Sequence, residues 1–159
     1  MKFFKRSKNL AMDDAIVAVA NGYLIPLEKV PDDVFSKKTL GDGLAIQMTD
    51  TVVVSPADGI ISFIYPHAFG VKLRNGIEIL VHIGINTVSL NGAGFRQLVH
   101  KGDNVKKGDK IIKVDKDFIE SRGFSCITMM VITETSGYTL KFHTEGDAFR
   151  GVSMVVTYC

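Results

Sequence analysis

The chain has 159 residues, of which 46% are hydrophobic and 23% are charged, and its formal net charge at pH 7 is +2. These values are typical of one globular domain and provide no large basic field that would attract nucleic acid. No apolar run approaches the roughly 18 residues of a transmembrane helix, and no apolar signal-peptide region follows the basic N-terminus. The two cysteines, Cys126 and Cys159, are too few for a disulfide framework, so we expect a cytoplasmic protein.

The first 12 residues differ in composition from the rest. Three apolar residues lie there among four cations: Phe3, Phe4 and Leu10 among Lys2, Lys5, Arg6 and Lys8. We interpret residues 1–12 as a basic flexible N-terminal segment and residues 13–159 as one domain. The alternative for residues 1–12 is a short interfacial helix, which would make at most weak peripheral contact with a membrane.

From residue 16 onward, short apolar runs alternate with Gly, Pro, Asn and Asp, a pattern that predicts many short strands. The predicted strands are residues 16–20, 44–48, 52–54, 60–65, 69–73, 77–83, 110–115, 127–133, 138–143 and 152–157. Helical turns are predicted only after Pro31 and across residues 115–122. The fold class is therefore all-β, a compact antiparallel sandwich or barrel with short helical turns.

Two histidines flank the clearest predicted hairpin. The Asn-Gly dipeptide at residues 75–76 favours a two-residue type I′ turn, which would pair Phe69 with His82 and His67 with Gly84. His67 and His82 would then be diagonal neighbours on one face, with Cα atoms roughly 7–8 Å apart. A slip of one residue in the turn would place them on opposite faces.

Two adjacent imidazoles suit phosphoryl chemistry. One neutral nitrogen can attack phosphorus while the other ring donates a hydrogen bond to the phosphoryl oxygens. In the predicted register, apolar residues share this face and would keep it partly dry: Phe69, Val71, Leu73 and Leu80. On the residues alone, the alternative stays open that both histidines are packing or surface residues.

The sequence around these histidines resembles the glucose-type enzyme IIA domain of the bacterial sugar phosphotransferase system. The His-Ile-Gly-Ile-x-Thr-Val block at residues 82–88 is the most specific part of the resemblance, together with Pro-His-Ala-Phe at residues 66–69. Further matching segments lie at residues 30–35, 40–46, 55–59 and 102–109. The resemblance covers about residues 16–157, in the family's order and spacing.

The resemblance implies a compact antiparallel β-sandwich that carries a phosphoryl group. His82 matches the phosphorylated histidine, and His67 matches the second histidine, which supports the phosphoryl group. The implied donor is the histidine-containing phosphocarrier protein, and the implied acceptor is a cysteine on a sugar-specific IIB domain. The implied carrier requires no cofactor, although zinc shared with a partner through His67 and His82 is an alternative.

Several residues next to the histidines have expected supporting roles. We expect Gly84 to leave the site open to a partner, and Thr87 to support the site. The family often has Thr where this chain has Tyr65, and that Thr can hydrogen-bond the active imidazole. It often has Asp where this chain has Asn86, and Pro where it has Met48.

Four residues are assigned to a partner-binding surface: Asp32, Phe35, Phe69 and Asn86. Asp32 alternatively caps a helical turn, and Phe35 alternatively belongs to the core. Three other functions compete with the phosphocarrier: a metal site, a regulatory binding module and a lipoyl-type carrier. Two histidines are too few to complete a zinc shell, and residues 75–76 provide no lysine for a lipoyl group.

Overall fold

The computed structural model describes residues 15–159, which form mainly short strands. In chain order the strands are β1 (Ile16–Val17), β2 (Gly22–Pro26), β3 (Asp42–Met48), β4 (Val52–Val54), β5 (Gly59–Tyr65), β6 (Ala68–Lys72), β7 (Glu78–Ile83), β8 (Phe95–Gln97), β9 (Asn104–Val105), β10 (Lys110–Val114), β11 (Ile127–Glu134), β12 (Leu140–Phe142), β13 (Asp147–Ala148) and β14 (Met154–Tyr158). The helical elements are 3-10 turns at Leu27–Lys29 and Thr87–Leu90 and short α-helices at Asp33–Ser36 and Lys116–Ser121.

The strands form one large sheet and two small ones. The eight-stranded sheet has the order β13-β2-β3-β11-β7-β6-β5-β9, and the three-stranded sheets have the orders β4-β10-β8 and β1-β14-β12. All of the paired strands are antiparallel. The predicted all-β antiparallel fold with short helical turns is therefore confirmed.

Strand β11 contributes to two separate apolar clusters, one on each face of the large sheet. Met130 and Ile132 lie in the main core, whereas Met129 and Val131 lie in a smaller cluster. The continuous apolar run of β11 is typical of a strand that is buried on both faces. The buried members of the smaller cluster are Leu27, Val30, Phe35, Ala45, Met129 and Val131. We call this smaller cluster the outer cluster.

Each of the ten predicted strands overlaps an observed strand, and both predicted helical turns are present. The prediction missed β2, β8, β9 and β13, and also the 3-10 turns at Leu27–Lys29 and Thr87–Leu90. Strand β2 begins at Gly22 and ends at Pro26, two residues that punctuate a chain more often than they belong to a strand. Strands β9 and β13 have two residues each, too few to show alternation.

The predicted two-residue turn between β6 and β7 is wrong. The amide of Leu73 donates to the Ile77 carbonyl at 2.8 Å, and the amide of Gly76 donates to the Leu73 carbonyl at 3.0 Å. These bonds enclose a three-residue loop in which Gly76 has φ +96°. Such a loop is a type I turn followed by a residue with positive φ, the second common hairpin connection.

The longer loop shifts the register by one residue. Ala68, and not Phe69, lies opposite His82. Phe69 pairs with Val81 and points into the main core, because neighbouring residues of a strand face opposite sides. The predicted shared face of Phe69, Val71 and His82 is therefore wrong.

The basic segment at residues 1–12, and the membrane contact considered for it, lie outside the described residues. Between residues 15 and 159, none of the helices has both the length and the apolar character needed to cross a membrane.

Candidate functional site

His82 stands in a continuous row of residues across the outer face of the eight-stranded sheet. Each member of the row is paired with the next: Ile25, Ala45, Met129, His82, Ala68 and Tyr65. Directly paired residues project from the same face. His82 therefore emerges beside the outer cluster, with the small side chain of Ala68 as its neighbour on β6. That small neighbour leaves room for another ring above it.

His67 provides that ring from a turn rather than from a strand. Tyr65 and Ala68 are paired at the ends of β5 and β6, and Pro66 and His67 connect them. The His67 carbonyl accepts a hydrogen bond from the Ile83 amide at 2.8 Å, which fixes this turn against β7. Because His67 is not a strand residue, strand alternation does not decide where its side chain points.

The two imidazole rings lie in edge contact. Their centroids are 5.0 Å apart, and their planes make an angle of 76°. The prediction that His67 and His82 approach one another is thus confirmed, although the predicted register that led to it is wrong.

Aromatic rings border both histidines. The Phe35 ring, from the helix Asp33–Ser36, has its centroid 5.2 Å from that of His82, and Phe35 is only 6% exposed. The Tyr65 ring lies 6.3 Å from the His67 ring and is 58% exposed. His82 therefore has an apolar wall on one side, and the pair opens to solvent on the side of Tyr65.

One hydrogen bond distinguishes the two nitrogens of His82. Its Nδ1 atom lies 2.9 Å from the carbonyl oxygen of Gly84. A carbonyl accepts but cannot donate, so Nδ1 carries the proton and donates it in this bond. In the neutral ring Nε2 is then the unprotonated nitrogen, with a lone pair available to attack an electrophile or to bind a metal.

Both histidines favour the neutral form. Burial lowers the pKa of His67 below its usual value. Burial also lowers the pKa of His82, and the neighbouring His67 lowers it further. The hydrogen bond to Gly84 and the charge of Asp32 act in the opposite direction on His82 without reversing the shift. The site therefore contains two uncharged imidazoles near pH 7.

Gly84 serves internal packing, and the expectation that it opens the site to a partner is wrong. Gly84 is buried and has φ +85°, which disfavours residues with a side chain. A Cβ atom there would lie 2.4 Å from Cγ2 of Thr87 and 2.8 Å from the Ser125 carbonyl. Thr87 is itself buried and donates from Oγ1 to the Ile83 carbonyl at 2.5 Å. Together, Gly84 and Thr87 shape the chain directly after His82.

The residues assigned to a partner surface have different positions. Asp32 caps the helix Asp33–Ser36, accepting a hydrogen bond from the Val34 amide at 2.9 Å. Asn86 is exposed, with a left-handed backbone at φ +59°. Phe69 is 0% exposed, so its assignment to a surface is wrong: it is a core residue. Phe35 is also buried, but it contacts His82.

Sequence reasoning missed three groups that shape the site: the side chains of Ala68 and Met129, which flank His82 on the neighbouring strands, and the Gly84 carbonyl. The apolar run of β11 indicates that Met129 is buried, but which strand lies beside β7 is a long-range fact that a single sequence does not contain. Every residue has a backbone carbonyl, so the role of the Gly84 carbonyl cannot be predicted from residue types.

Two imidazoles can provide two of the four ligands of a zinc shell. Within residues 15–159, the structure brings no three His, Cys, Asp or Glu side chains together as a metal site. Zinc shared with a partner through His67 and His82 stays a prediction.

Comparison with known proteins gives a consistent result. Residues 14–138 match the family model described as phosphoenolpyruvate-dependent sugar phosphotransferase system, EIIA 1. The chain is 37% identical to the PTS system glucose-specific EIIA component of Staphylococcus aureus strain Mu50 over 158 residues, which is 98% of this chain and 95% of that relative. It is 38% identical over 143 residues to the glucose-specific EIICBA component of Staphylococcus carnosus, covering 89% of this chain and 21% of that protein.

Among solved structures, the glucose permease IIA from Mycoplasma capricolum superposes with a TM-score of 0.84 at 34% identity. The match covers 89% of this chain and 94% of the other. The family match, the near full-length relatives and the shared fold agree, and the chain belongs to the EIIA 1 family of the phosphoenolpyruvate-dependent sugar phosphotransferase system, as a glucose-type EIIA domain.

Proposed function

We propose that this chain is a phosphohistidine carrier for sugar uptake, in which Nε2 of His82 accepts a phosphoryl group and passes it on. The observation that carries the proposal is the hydrogen bond between Nδ1 of His82 and the Gly84 carbonyl, at 2.9 Å. It holds the proton on one nitrogen and leaves the other free as a nucleophile. The lowered pKa of His82 supports the same assignment, because only the neutral ring can attack phosphorus.

The transfer needs no external base. The lone pair of Nε2 forms a bond to phosphorus, while the bond from phosphorus to the donor's nitrogen breaks and its electron pair returns to the donor. The His82 ring then carries phosphorus on Nε2 and a proton on Nδ1, so it is positively charged. A carbonyl that accepts from Nδ1 binds this charged ring more strongly than the neutral one. The Gly84 carbonyl thus stabilises the phosphorylated state.

His67 supports the phosphoryl group in this proposal. Its ring lies in edge contact with His82, with centroids 5.0 Å apart. A neutral imidazole has one N–H, which can donate to a phosphoryl oxygen where charge develops during transfer. In the onward step the bond between Nε2 and phosphorus breaks, and a thiolate of the acceptor forms the new bond.

The donor we propose is the histidine-containing phosphocarrier protein, and the acceptor is a cysteine on a IIB domain of a sugar permease. The fused EIICBA component of Staphylococcus carnosus supports a permease acceptor. Its name indicates that A, B and C units occur in one chain. The phosphoryl group on His82 brings about −2 charge to a partly apolar surface, partly offset by the positive ring, so a regulatory role through partner binding is compatible with the carrier role. We propose a cytoplasmic location for this relay.

The experiment is phosphorylation by a phosphoenolpyruvate-driven phosphocarrier mixture, followed by mass spectrometry after acid and alkaline treatment. Phosphohistidine is lost in acid and survives in base. We expect one acid-labile phosphoryl group on the natural chain and none on His82→Ala. The control is His143→Ala, which removes an exposed histidine of the same chain. Labelling of His82→Ala at the natural rate would contradict the proposal.

A further inference from the structure

A second candidate site lies on the small sheet β4-β10-β8, and none of its lining residues belongs to the histidine pair. It is a groove of about 670 Å³, which we call the basic groove. Four cations line it: Arg96, Lys110, Lys113 and Arg150. Its volume lies within the range of about 300–1,000 Å³ that is usual for small-molecule sites.

Two of these cations oppose each other directly. Lys113 of β10 is paired with Arg96 of β8, and both side chains are exposed. Like charges in directly opposite positions of an antiparallel pair repel and destabilise the sheet. Among residues 15–159, Arg96, Lys110 and Lys113 make no ion pair with a carboxylate that would compensate for this repulsion.

A β-bulge adds the third cation to the same side. Residues three apart in a regular strand face opposite sides, but the register of β10 against β4 shifts between Lys110 and Ile112. Ile111 and Ile112 are consequently both buried, and Lys110 and Lys113 both line the groove. Bulges of this kind commonly redirect a side chain.

The fourth cation, Arg150, is held by two residues that do not line the groove. Nη1 of Arg150 pairs with Oδ2 of Asp50, a largely buried carboxylate, and the Arg150 amide donates to Oδ1 of Asn21 at 2.8 Å. These two contacts hold Arg150 at the groove, where its side chain stays partly exposed. The four cations exceed the two nearby carboxylates, Asp50 and the groove residue Asp115, by two charges.

One apolar side chain of the groove shares the face of the cations. Val52 on β4 lies directly opposite Lys113 and lines the groove, so it projects from the same face as the cations. Phe95 and Val114 form the next pair along β8 and β10, and because neighbouring residues of a strand face opposite sides, their side chains pack with the main core. Val52 and Val114 are buried, whereas Phe95 is only partly so. An apolar side chain beside clustered cations can contact the apolar body of a ligand whose anionic group lies among the cations.

We propose that the basic groove binds a small phosphate monoester, with its phosphate among the four cations and its apolar body against Val52. The excess of two positive charges matches the charge of about −1.5 to −2 that a phosphate monoester carries at pH 7. The proposal is independent of the histidine pair, since the groove shares no residue with it. Without a ligand, the cations on β8 and β10 repel each other. An anion bound between them would offset this repulsion.

The test is a titration followed by amide chemical shifts, with phenyl phosphate and inorganic phosphate as separate probes. We expect both probes to shift the amides of Gly94, Arg96 and Lys113, and phenyl phosphate to bind more tightly than inorganic phosphate. The double variant Arg96→Gln/Lys113→Gln should weaken binding at least tenfold. Lys141→Gln, a matched change of an exposed lysine on β12, should bind as the natural chain does.

A second measurement does not depend on the probe. Without ligand, Lys113→Gln should raise the Tm by ~1–4 °C, because it removes the repulsion from Arg96. No shifts at the groove up to 10 mM phenyl phosphate would overturn the proposal, as would shifts confined to His67 and His82. Binding of the natural chain to anionic phosphatidylglycerol vesicles, without binding of either small probe, would also overturn it and assign the groove to a membrane surface.

Discussion

The Nδ1 atom of His82 lies 2.9 Å from the carbonyl oxygen of Gly84, two residues further along the same chain. The bond is possible because Gly84 turns the chain directly after β7 with φ +85°. The chemistry of the ring therefore depends on a backbone conformation that has little room for any other residue.

Gly84→Ala should lower the free energy of unfolding by more than the cost of placing alanine in a left-handed backbone conformation. The left-handed backbone costs a residue with a side chain about 1–2 kcal/mol, and the contacts of the new Cβ with Thr87 and Ser125 add about 1–3 kcal/mol of overpacking. Chemical denaturation measures the change in the free energy of unfolding. Gly102→Ala is the matched control, because Gly102 has φ +91° and a Cβ there meets no atom within 4 Å.

The combination of Gly84→Ala with Thr87→Ser should recover part of the loss. Serine removes Cγ2, the atom 2.4 Å from the added Cβ, and keeps the hydroxyl that donates to the Ile83 carbonyl. Equal destabilisation by Gly84→Ala and Gly102→Ala would show that packing at Gly84 contributes nothing.

His67→Gln should separate the two half-reactions. Glutamine can donate a hydrogen bond but cannot hold a phosphoryl group, so uptake onto His82 should continue. Release to the acceptor should slow by about 10²–10³, because the glutamine amide lacks the fixed position of the imidazole N–H and the donor is no longer preorganised. Rapid-quench measurement of both steps with labelled phosphate gives the two rates. His100→Gln changes an exposed histidine and should alter neither. Label on His67 in the natural chain would show that the roles are reversed.

Acid should destabilise the protein through the two histidines. Because the folded-state pKa values of His67 and His82 are lowered, the unfolded chain binds more protons than the folded chain as the pH falls below about 6.5. Stability is therefore fully present above that pH and is lost as the pH falls through the folded-state values. We expect the urea midpoint to fall between pH 7 and pH 5, and to fall less in His67→Gln/His82→Gln. The same fall in both proteins would exclude the histidines as its cause.

Phe35→Ala should raise the pKa of His82 toward its usual value. The Phe35 ring lies 5.2 Å from His82 and shields it from water, and burial is the main cause of the lowered pKa. The substitution should also cost about 3–5 kcal/mol of stability, as is usual for a buried aromatic residue. An NMR titration of the imidazole protons measures the pKa directly. Phe35→Leu retains an apolar wall and should shift it less; an unchanged value in Phe35→Ala would mean that Phe35 does not shield the ring.

Local sequence signals predicted the parts of the fold that depend on neighbouring residues. The apolar run of β11 indicated burial, and Asp32 and Asp115 precede the two α-helices that they cap. The Asn-Gly dipeptide at residues 75–76 correctly located a hairpin. It did not decide between a two-residue and a three-residue loop, because glycine satisfies the positive φ that both require.

The sequence allowed us to predict which residues form the site, but not how they come into contact. The two histidines are visible in the sequence, and the structure brings them together. Their contact depends on Ala68 opposite His82, and on His67 in a turn that strand alternation does not govern. Phe69 was misplaced for the same reason, since one residue of register decides whether a strand residue faces the core or the outside.

The position of His67 also bears on how the site can change. His82 is anchored between two strands, so any displacement of it must deform the sheet. His67 lies in the two-residue connection between β5 and β6, and its carbonyl holds that turn against β7. The site thus joins a strand residue to a turn residue, so a change in the conformation of this short connection would displace His67 without moving His82.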